Sequence, residues 1–157
     1  MKDAPRGPSP ASARGADSAD PERRPPILLY DGLCGFCDGT VRFVLRHDPG
    51  GPMRFAPLQG QTAAAIVGRH PGLEGVDSLV LVETTSTGET VSVRSQAVIR
   101  LAAYVGGVWG LACMLRPIPR SIRDRGYAFF ARHRHRLFGR YDVCPVPPAE
   151  VRGRFLP

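Results

Sequence analysis

Two cysteines three residues apart, in the run Cys34-Gly35-Phe36-Cys37, are the side chains of this sequence best spaced to do chemistry. At positions i and i+3 they share one side of a helical turn, close enough to form a disulfide with little backbone movement. Where a helix begins, its unpaired N–H groups and the positive end of its dipole stabilise a thiolate. The spacing therefore reads as a redox-active dithiol. Cys34, expected at the exposed end of the turn, is the nucleophile, and Cys37, one turn further in, is the resolving thiol. Asp31, three residues upstream, either caps the loop or moves protons during exchange. Asp38, just inside the turn, suits the helix dipole and opposes a neighbouring thiolate. Such a pair reacts through its own disulfide, with no further cofactor and no metal.

Only two other cysteines occur, Cys113 and Cys144, too few for a disulfide-stapled secreted scaffold of this size. Cys113 sits in an apolar run and reads as a core residue. Cys144, beside Pro145, is a candidate for a second-stage disulfide with either member of the pair. A zinc site would need a second close ligand pair, and His133 and His135 stand at alternate helical positions, where their rings diverge. A non-catalytic module that senses oxidation or binds a partner shares the dithiol signature and stays open as an alternative to an enzyme.

The elements that must position the pair follow from periodicity. Ile27-Leu28-Leu29-Tyr30 is an unbroken apolar run, the pattern of a strand covered on both faces. From Cys37, apolar residues recur at Val41, Val44 and Leu45 on one helical face until Asp48-Pro49-Gly50-Gly51 ends the helix. Met53-Arg54-Phe55-Ala56 alternates as a second strand, and the 22 residues between Tyr30 and Met53 are enough for a helical crossover. Residues 59–68 read as an Ala-rich helix. Residues 78–83 and 90–94 read as a hairpin around Thr-Ser-Thr-Gly, and Ser95 as the cap of a further helix. The order βαβαββα is an α/β, thioredoxin-like core, with additional C-terminal helices in which Ile118, Ile122, Phe129, His133 and Leu137 share a face that Gly126 interrupts. The last residues, rich in proline, read as irregular.

Several runs together carry a resemblance. Tyr30-Asp31-Gly32-Leu33-Cys34-Gly35-Phe36-Cys37, Arg54-Phe55-Ala56-Pro57-Leu58-Gln59, Asp77-Ser78-Leu79-Val80-Leu81-Val82, Arg94-Ser95 and Arg140-Tyr141-Asp142-Val143-Cys144-Pro145 resemble the DCC family of thiol-disulfide oxidoreductases, whose signature is Asp-x-x-Cys-x-x-Cys. The resemblance covers about Ile27 to Leu156. It implies a thioredoxin-like fold with Asp31, Cys34 and Cys37 as the signature residues. Ordinary thioredoxins place a cis-proline before the third strand. Here that place reads Gly75-Val76-Asp77, leaving Asp77 or Ser78 to face the dithiol. Arg94 either pairs with an acidic group or substrate near the site or lies on the surface.

Length and charge bound the rest. The 157 residues suffice for one domain. Residues 1–26 hold no Val, Ile, Leu, Phe, Tyr or Trp and read as a disordered tail ahead of a domain over 27–157. No apolar leader precedes Ile27, so cytoplasmic residence is expected. The apolar run Leu101 to Leu115 falls short of the roughly 20 residues that span a bilayer and reads as buried helix, with membrane association set aside. The formal charge of +7 arises wholly beyond residue 115, where ten Arg face Asp124, Asp142 and Glu150. That excess reads as a solvated helix face, with no nucleic-acid partner expected. The implied partners are a disulfide or thiol substrate and an electron donor.

Overall fold

The computed structural model describes residues 24–142 and 147–157. Most of the segment read as a tail, and Cys144, lie outside the described residues. A four-stranded sheet is ordered β2-β1-β3-β4. Strand β1 (Ile27–Tyr30) pairs in parallel with β2 (Arg54–Pro57) and antiparallel with β3 (Val80–Thr85), which pairs antiparallel with β4 (Gly88–Val93). Helix α1 (Gly35–His47) makes the crossover between β1 and β2, α2 (Gln61–Arg69) follows β2, and α3 (Arg94–Val105) follows the hairpin. This is the βαβαββα order of a thioredoxin-like fold.

Strand side chains alternate between faces, and β1 shows why its apolar run could not be broken. Leu28 and Tyr30 pack with Cys37, Val41 and Val44 of α1, with Ala97 and Leu101 of α3, and with Leu79 and Leu81. Leu29, between them, faces the opposite way, onto Ala63 and Ile66 of α2 and the inner side chains Val80 and Val82. A strand between two helical layers has no water-facing side, so every position is apolar.

Three sequence expectations need correction. Ser95 does not cap α3: the helix starts at Arg94, without a side-chain cap, and the Ser95 hydroxyl donates to Asp124 Oδ1 at 2.5 Å. The run Leu101 to Leu115 is not one buried helix. Gly106 and Gly107 take positive φ values of +71° and +58°, conformations that glycine adopts without steric cost. They turn the chain into a 3₁₀ segment, Gly107–Leu115, none of whose residues is buried. Helix α4 (Arg120–Phe138) passes through Gly126 without interruption, but not with the expected face inward. Ile122, Phe129 and Leu137 are exposed, while Tyr127, Phe130 and Arg134 turn toward the domain. The proline-rich C-terminus is, among the described residues, irregular apart from a 3₁₀ turn at Arg152–Arg154, and its end packs along the sheet. The Leu156 amide donates to Phe55 O at 2.8 Å, the Thr62 amide donates to Pro157 O at 2.7 Å, and Phe155 bridges to Phe55 in parallel. This short pairing covers the outer edge of β2, which would otherwise present open backbone groups.

Phe155 also packs its ring against Phe55 at 5.3 Å and Tyr30 at 6.5 Å. Removing it should uncover that edge. Phe155→Ala is expected to cost about 1 to 2 kcal/mol by denaturant titration and to speed amide exchange at Phe55 and Ala56, and unchanged exchange there would show that the edge is held by other groups.

Candidate active site

The loop after β1 delivers the cysteines to the start of α1. Asp31 Oδ1 accepts a hydrogen bond from the Leu33 amide at 3.0 Å, an Asx turn that tightens the loop. The Cys34 amide donates to Asp31 O at 3.1 Å, and Cys34 O accepts from the Asp38 amide at 3.0 Å, opening the helix. Cys34 is thus the N-cap residue, with extended backbone, and Cys37 lies in the first turn. Asp31 Oδ1 also accepts from Gln59 Nε2 at 3.1 Å, which ties the loop to the one after β2. Asp38 is paired with Arg42 at 2.8 Å, so its charge is partly offset one turn from the thiols.

Cys34 is not at an exposed end. Its relative exposure is 0%, because the chain leaving α4 is laid over the loop. The Gly35 amide donates to Gly139 O at 3.3 Å, the Tyr141 amide donates to Leu33 O at 2.8 Å, and Cys34 bridges to Arg140. A side chain at position 35 would put its Cβ 2.2 Å from the Phe138 carbonyl oxygen, so only glycine permits this approach. Phe36, next in line, is held between Phe130 and Phe138 with ring centroids 4.7 and 5.3 Å away. The two residues between the cysteines are therefore docking points for α4 and the strap that follows it.

Behind the pair lies Arg134, 1% exposed. Its Nη2 donates to Asp77 O at 2.5 Å and sits 3.6 Å from Asp77 Oδ2 and 3.8 Å from Asp31 Oδ2. Its Nε is buried without a hydrogen-bond partner among the described residues. Cys37 shares this environment. Burial pushes its thiol up from 9.0 to about 12, helped by charge on Cys34 and by a hydrogen bond of the Cys37 thiol to Cys34, while the Asp31 backbone and the Arg134 charge act in the opposite sense. Tyr127, whose phenol is raised first by burial, faces the Leu79 backbone, Ser78 and the same guanidinium.

The structure thus brings Cys34, Cys37, Asp31 and Asp77 together around Arg134. Ser78 is buried, with its hydroxyl facing the Tyr127 phenol. Val76 to Leu79 contains no proline, and no cis peptide occurs among the described residues. Arg94 stands apart: it is exposed at the β4–α3 junction with a left-handed φ of +53°, and among the described residues no hydrogen bond or ion pair links it to the dithiol. Cys113 is half-buried in the 3₁₀ segment rather than in the core. Among the described residues no group of three or more His, Cys, Asp or Glu side chains converges to hold a metal ion, and no helix is long and apolar enough to cross a membrane. A cavity of about 390 Å³ runs along the outer side of α1, lined in part by Tyr30, Val41, Arg42 and Val151, and reaches neither cysteine.

Arg134 is the site residue that sequence reasoning missed. Its signal was the face Tyr127, Phe130, Arg134 and Phe138, at offsets of three, seven and eleven, which has helical spacing. A cation in the middle of it concealed a core-facing stripe.

Two outcomes test this arrangement. Because the folded-state value of Cys37 lies above that of a free thiol, the native state holds this proton more tightly than the unfolded chain. The stabilisation is complete below about 9.0 and is lost as pH rises from there through about 12. Tyr104, raised from 10.0 to about 12 chiefly by burial, adds a loss in the upper part of that window. The denaturation midpoint of the reduced protein should fall above pH 9, and Cys37→Ser should remove the earlier part of the fall; identical curves would refute the assignment. Removing the buried cation by Arg134→Met should cost about 3 kcal/mol, since it strands the groups gathered around it. Arg134→Lys should recover little, as a single ammonium cannot span them. Chemical denaturation of the three proteins measures both.

The model of the DCC1-like thiol-disulfide oxidoreductase family matches residues 28–140, a span that takes in the sheet, the dithiol, Asp77 and Arg134. Two relatives match along most of the chain. The uncharacterized protein YuxK of Bacillus subtilis (strain 168) is 33% identical over 133 residues, which is 83% of this chain and 93% of the relative. The DCC family protein At1g52590, chloroplastic, of Arabidopsis thaliana is 35% identical over 129 residues, or 80% of this chain and 72% of the relative. No solved structure matches. With a paired dithiol at the head of α1, an aspartate anchoring its loop, and a family match running from β1 to the end of α4, the chain belongs to the DCC1-like thiol-disulfide oxidoreductase family.

Proposed function

We propose that this protein exchanges two electrons with a disulfide or dithiol substrate through Cys34 and Cys37, with no cofactor beyond that pair. The Cys34 thiolate attacks one sulfur of the substrate disulfide. A Cys34–substrate bond forms, the substrate S–S bond breaks, and the other substrate sulfur leaves as a thiolate. Cys37 then gives up its proton and attacks Cys34 Sγ, the second substrate sulfur departs, and the protein is left with a Cys34–Cys37 disulfide and the substrate reduced. An external thiol donor reverses the last state.

The observation that carries this reading is the placement of the two sulfurs, with Cys34 as the N-cap residue of α1 and Cys37 in its first turn, close enough to hydrogen-bond to one another. Cys37 is held as a thiol, by burial and by its hydrogen bond to Cys34, which suits a resolving group that must stay unreactive until Cys34 is engaged. Asp31 fits a positioning role better than proton transfer, since Oδ1 already accepts from Leu33 and Gln59 and Oδ2 faces Arg134. Asp77, through Arg134, supports the same geometry. A dithiol of this kind works in a reducing compartment such as the cytoplasm; the Arabidopsis relative is described as chloroplastic.

Burial of Cys34 beneath residues 139–141 favours a second reading, a redox-sensing module in which oxidation of the pair alters the strap. Catalytic turnover separates the two. With a model disulfide and a thiol donor in excess, the enzyme should complete many cycles, and Cys37→Ser should accumulate a mixed disulfide on Cys34. Cys34→Ser should abolish both, and Asp31→Asn should lower the rate without moving its pH profile. One oxidation per chain with no further turnover would establish the sensor instead, and failure of the pair to form any disulfide would remove both readings.

A further inference from the structure

We propose that the 3₁₀ segment Gly107–Leu115 and the arginines following it form a docking surface for an anionic lipid bilayer, on which the domain lies without crossing. This goes beyond the dithiol reading and does not rest on it.

The first observation is a ridge. In a 3₁₀ helix residues three apart eclipse one another. Val108, Leu111 and Met114 have that spacing, and they are 72%, 64% and 74% exposed, in one row along a nine-residue segment roughly 18 Å long. Scattered apolar residues on a surface are ordinary, but a contiguous strip of large ones marks a contact face. Beside the row, Trp109 is 46% exposed while its ring meets Phe43 edge-on at 4.8 Å. It is anchored on the domain side and open on the other, as an indole at a bilayer interface must be. Ile122, in the first turn of α4, is exposed as well.

The second observation is charge. From Val91 to Arg123 there is no acidic residue, while Arg94, Arg100, Arg116, Arg120 and Arg123 fall in that span. Arg100 is paired with Glu83, and Arg123 donates to Ile118 O. Arg116 and Arg120, at the C-terminal end of the ridge, are exposed and have no carboxylate partner among the described residues. Asp124, the next acid along the chain, accepts from Ser95. An apolar ridge bordered by unpaired cations is complementary to acyl chains beneath anionic headgroups. Crossing the bilayer is not required: side chains immersed about 5 to 10 Å reach the headgroup boundary.

Other covers fit less well. Residues 1–26 carry no Val, Ile, Leu, Phe, Tyr or Trp, so they offer little to bury against the ridge. A second copy packed ridge to ridge would offer Arg116 and Arg120 no carboxylate, since the span from Val91 to Arg123 contains none.

Trp109 is the single tryptophan of the chain, and it reports on this surface directly. The full-length reduced protein is mixed with vesicles of phosphatidylcholine alone, or of equal parts phosphatidylcholine and phosphatidylglycerol, and followed by flotation and tryptophan emission. It should float with the anionic vesicles and not with the neutral ones, with a blue shift that high salt reverses. The exposed triple variant Val108→Ser/Leu111→Ser/Met114→Ser should lower partitioning about tenfold or more. Arg116→Ser/Arg120→Ser should lower it by about tenfold, and both variants should keep the wild-type circular dichroism. The proposal is overturned by absence of flotation at low salt, or by wild-type partitioning of the triple variant. Equal binding to a soluble polyanion with no blue shift would point to an acidic macromolecule instead, and a dimer that the triple variant abolishes, without vesicle binding, would point to a second copy.

Discussion

A buried guanidinium organises this domain. Arg134 cannot sit inside the protein without acceptors, and it finds them at the ends of two different segments: the Asp31 carboxylate after β1, and the carbonyl and carboxylate of Asp77 before β3. Meeting both fixes the rotation of α4 about its own axis. Once that rotation is set, Phe130 falls onto Phe36, and the end of the helix comes down on Gly35. The loop that carries the cysteines is therefore clamped from two directions, by its own Asx turn and by a helix that begins some ninety residues later.

The same geometry gives the two cysteines different backbone positions. Cys34 is the N-cap residue of α1, with its own amide paired to Asp31 O and that of Gly35 to Gly139 O. Cys37 lies in the first turn, where desolvation outweighs the pull of Arg134 and holds the proton in place. Arg42 draws off part of the Asp38 charge that would otherwise act on both. Spacing alone gives a pair, and the start of the helix gives each member its own place in it.

Local rules carried much of this into the sequence. The unbroken apolar run of β1, the Val41 and Val44 face of α1, and the β3–β4 hairpin depend on neighbours a few residues away, and each is where periodicity puts it to within about two residues. The motif-bearing end of α1 was legible for the same reason. What was not legible depends on distant partners. The inward face of α4 holds an arginine and leaves Ile122, Phe129 and Leu137 in solvent, the reverse of what hydropathy implies, because only Asp31 and Asp77 make burial of that charge tolerable. Cys34 reads as exposed until the segment 139–141 is placed over it. Ser95 looks like a cap because nothing near it in sequence announces Asp124. The break at Gly106-Gly107 was visible as a pair of glycines, but the outward course of the segment after it was not.

The strap has one further consequence, for time rather than for structure. Gly139 and Tyr141 hold the dithiol loop through two backbone hydrogen bonds, and a buried sulfur reacts only in the fraction of molecules where such contacts have opened. Reaction at Cys34 then has a ceiling that no excess of substrate can raise, set by how often the segment lifts. If the proposed exchange runs through Cys34, such a gate would ignore brief encounters with abundant small disulfides and favour a substrate whose own binding holds the strap aside, so that selectivity would come from residence at the gate as much as from the shape of any groove.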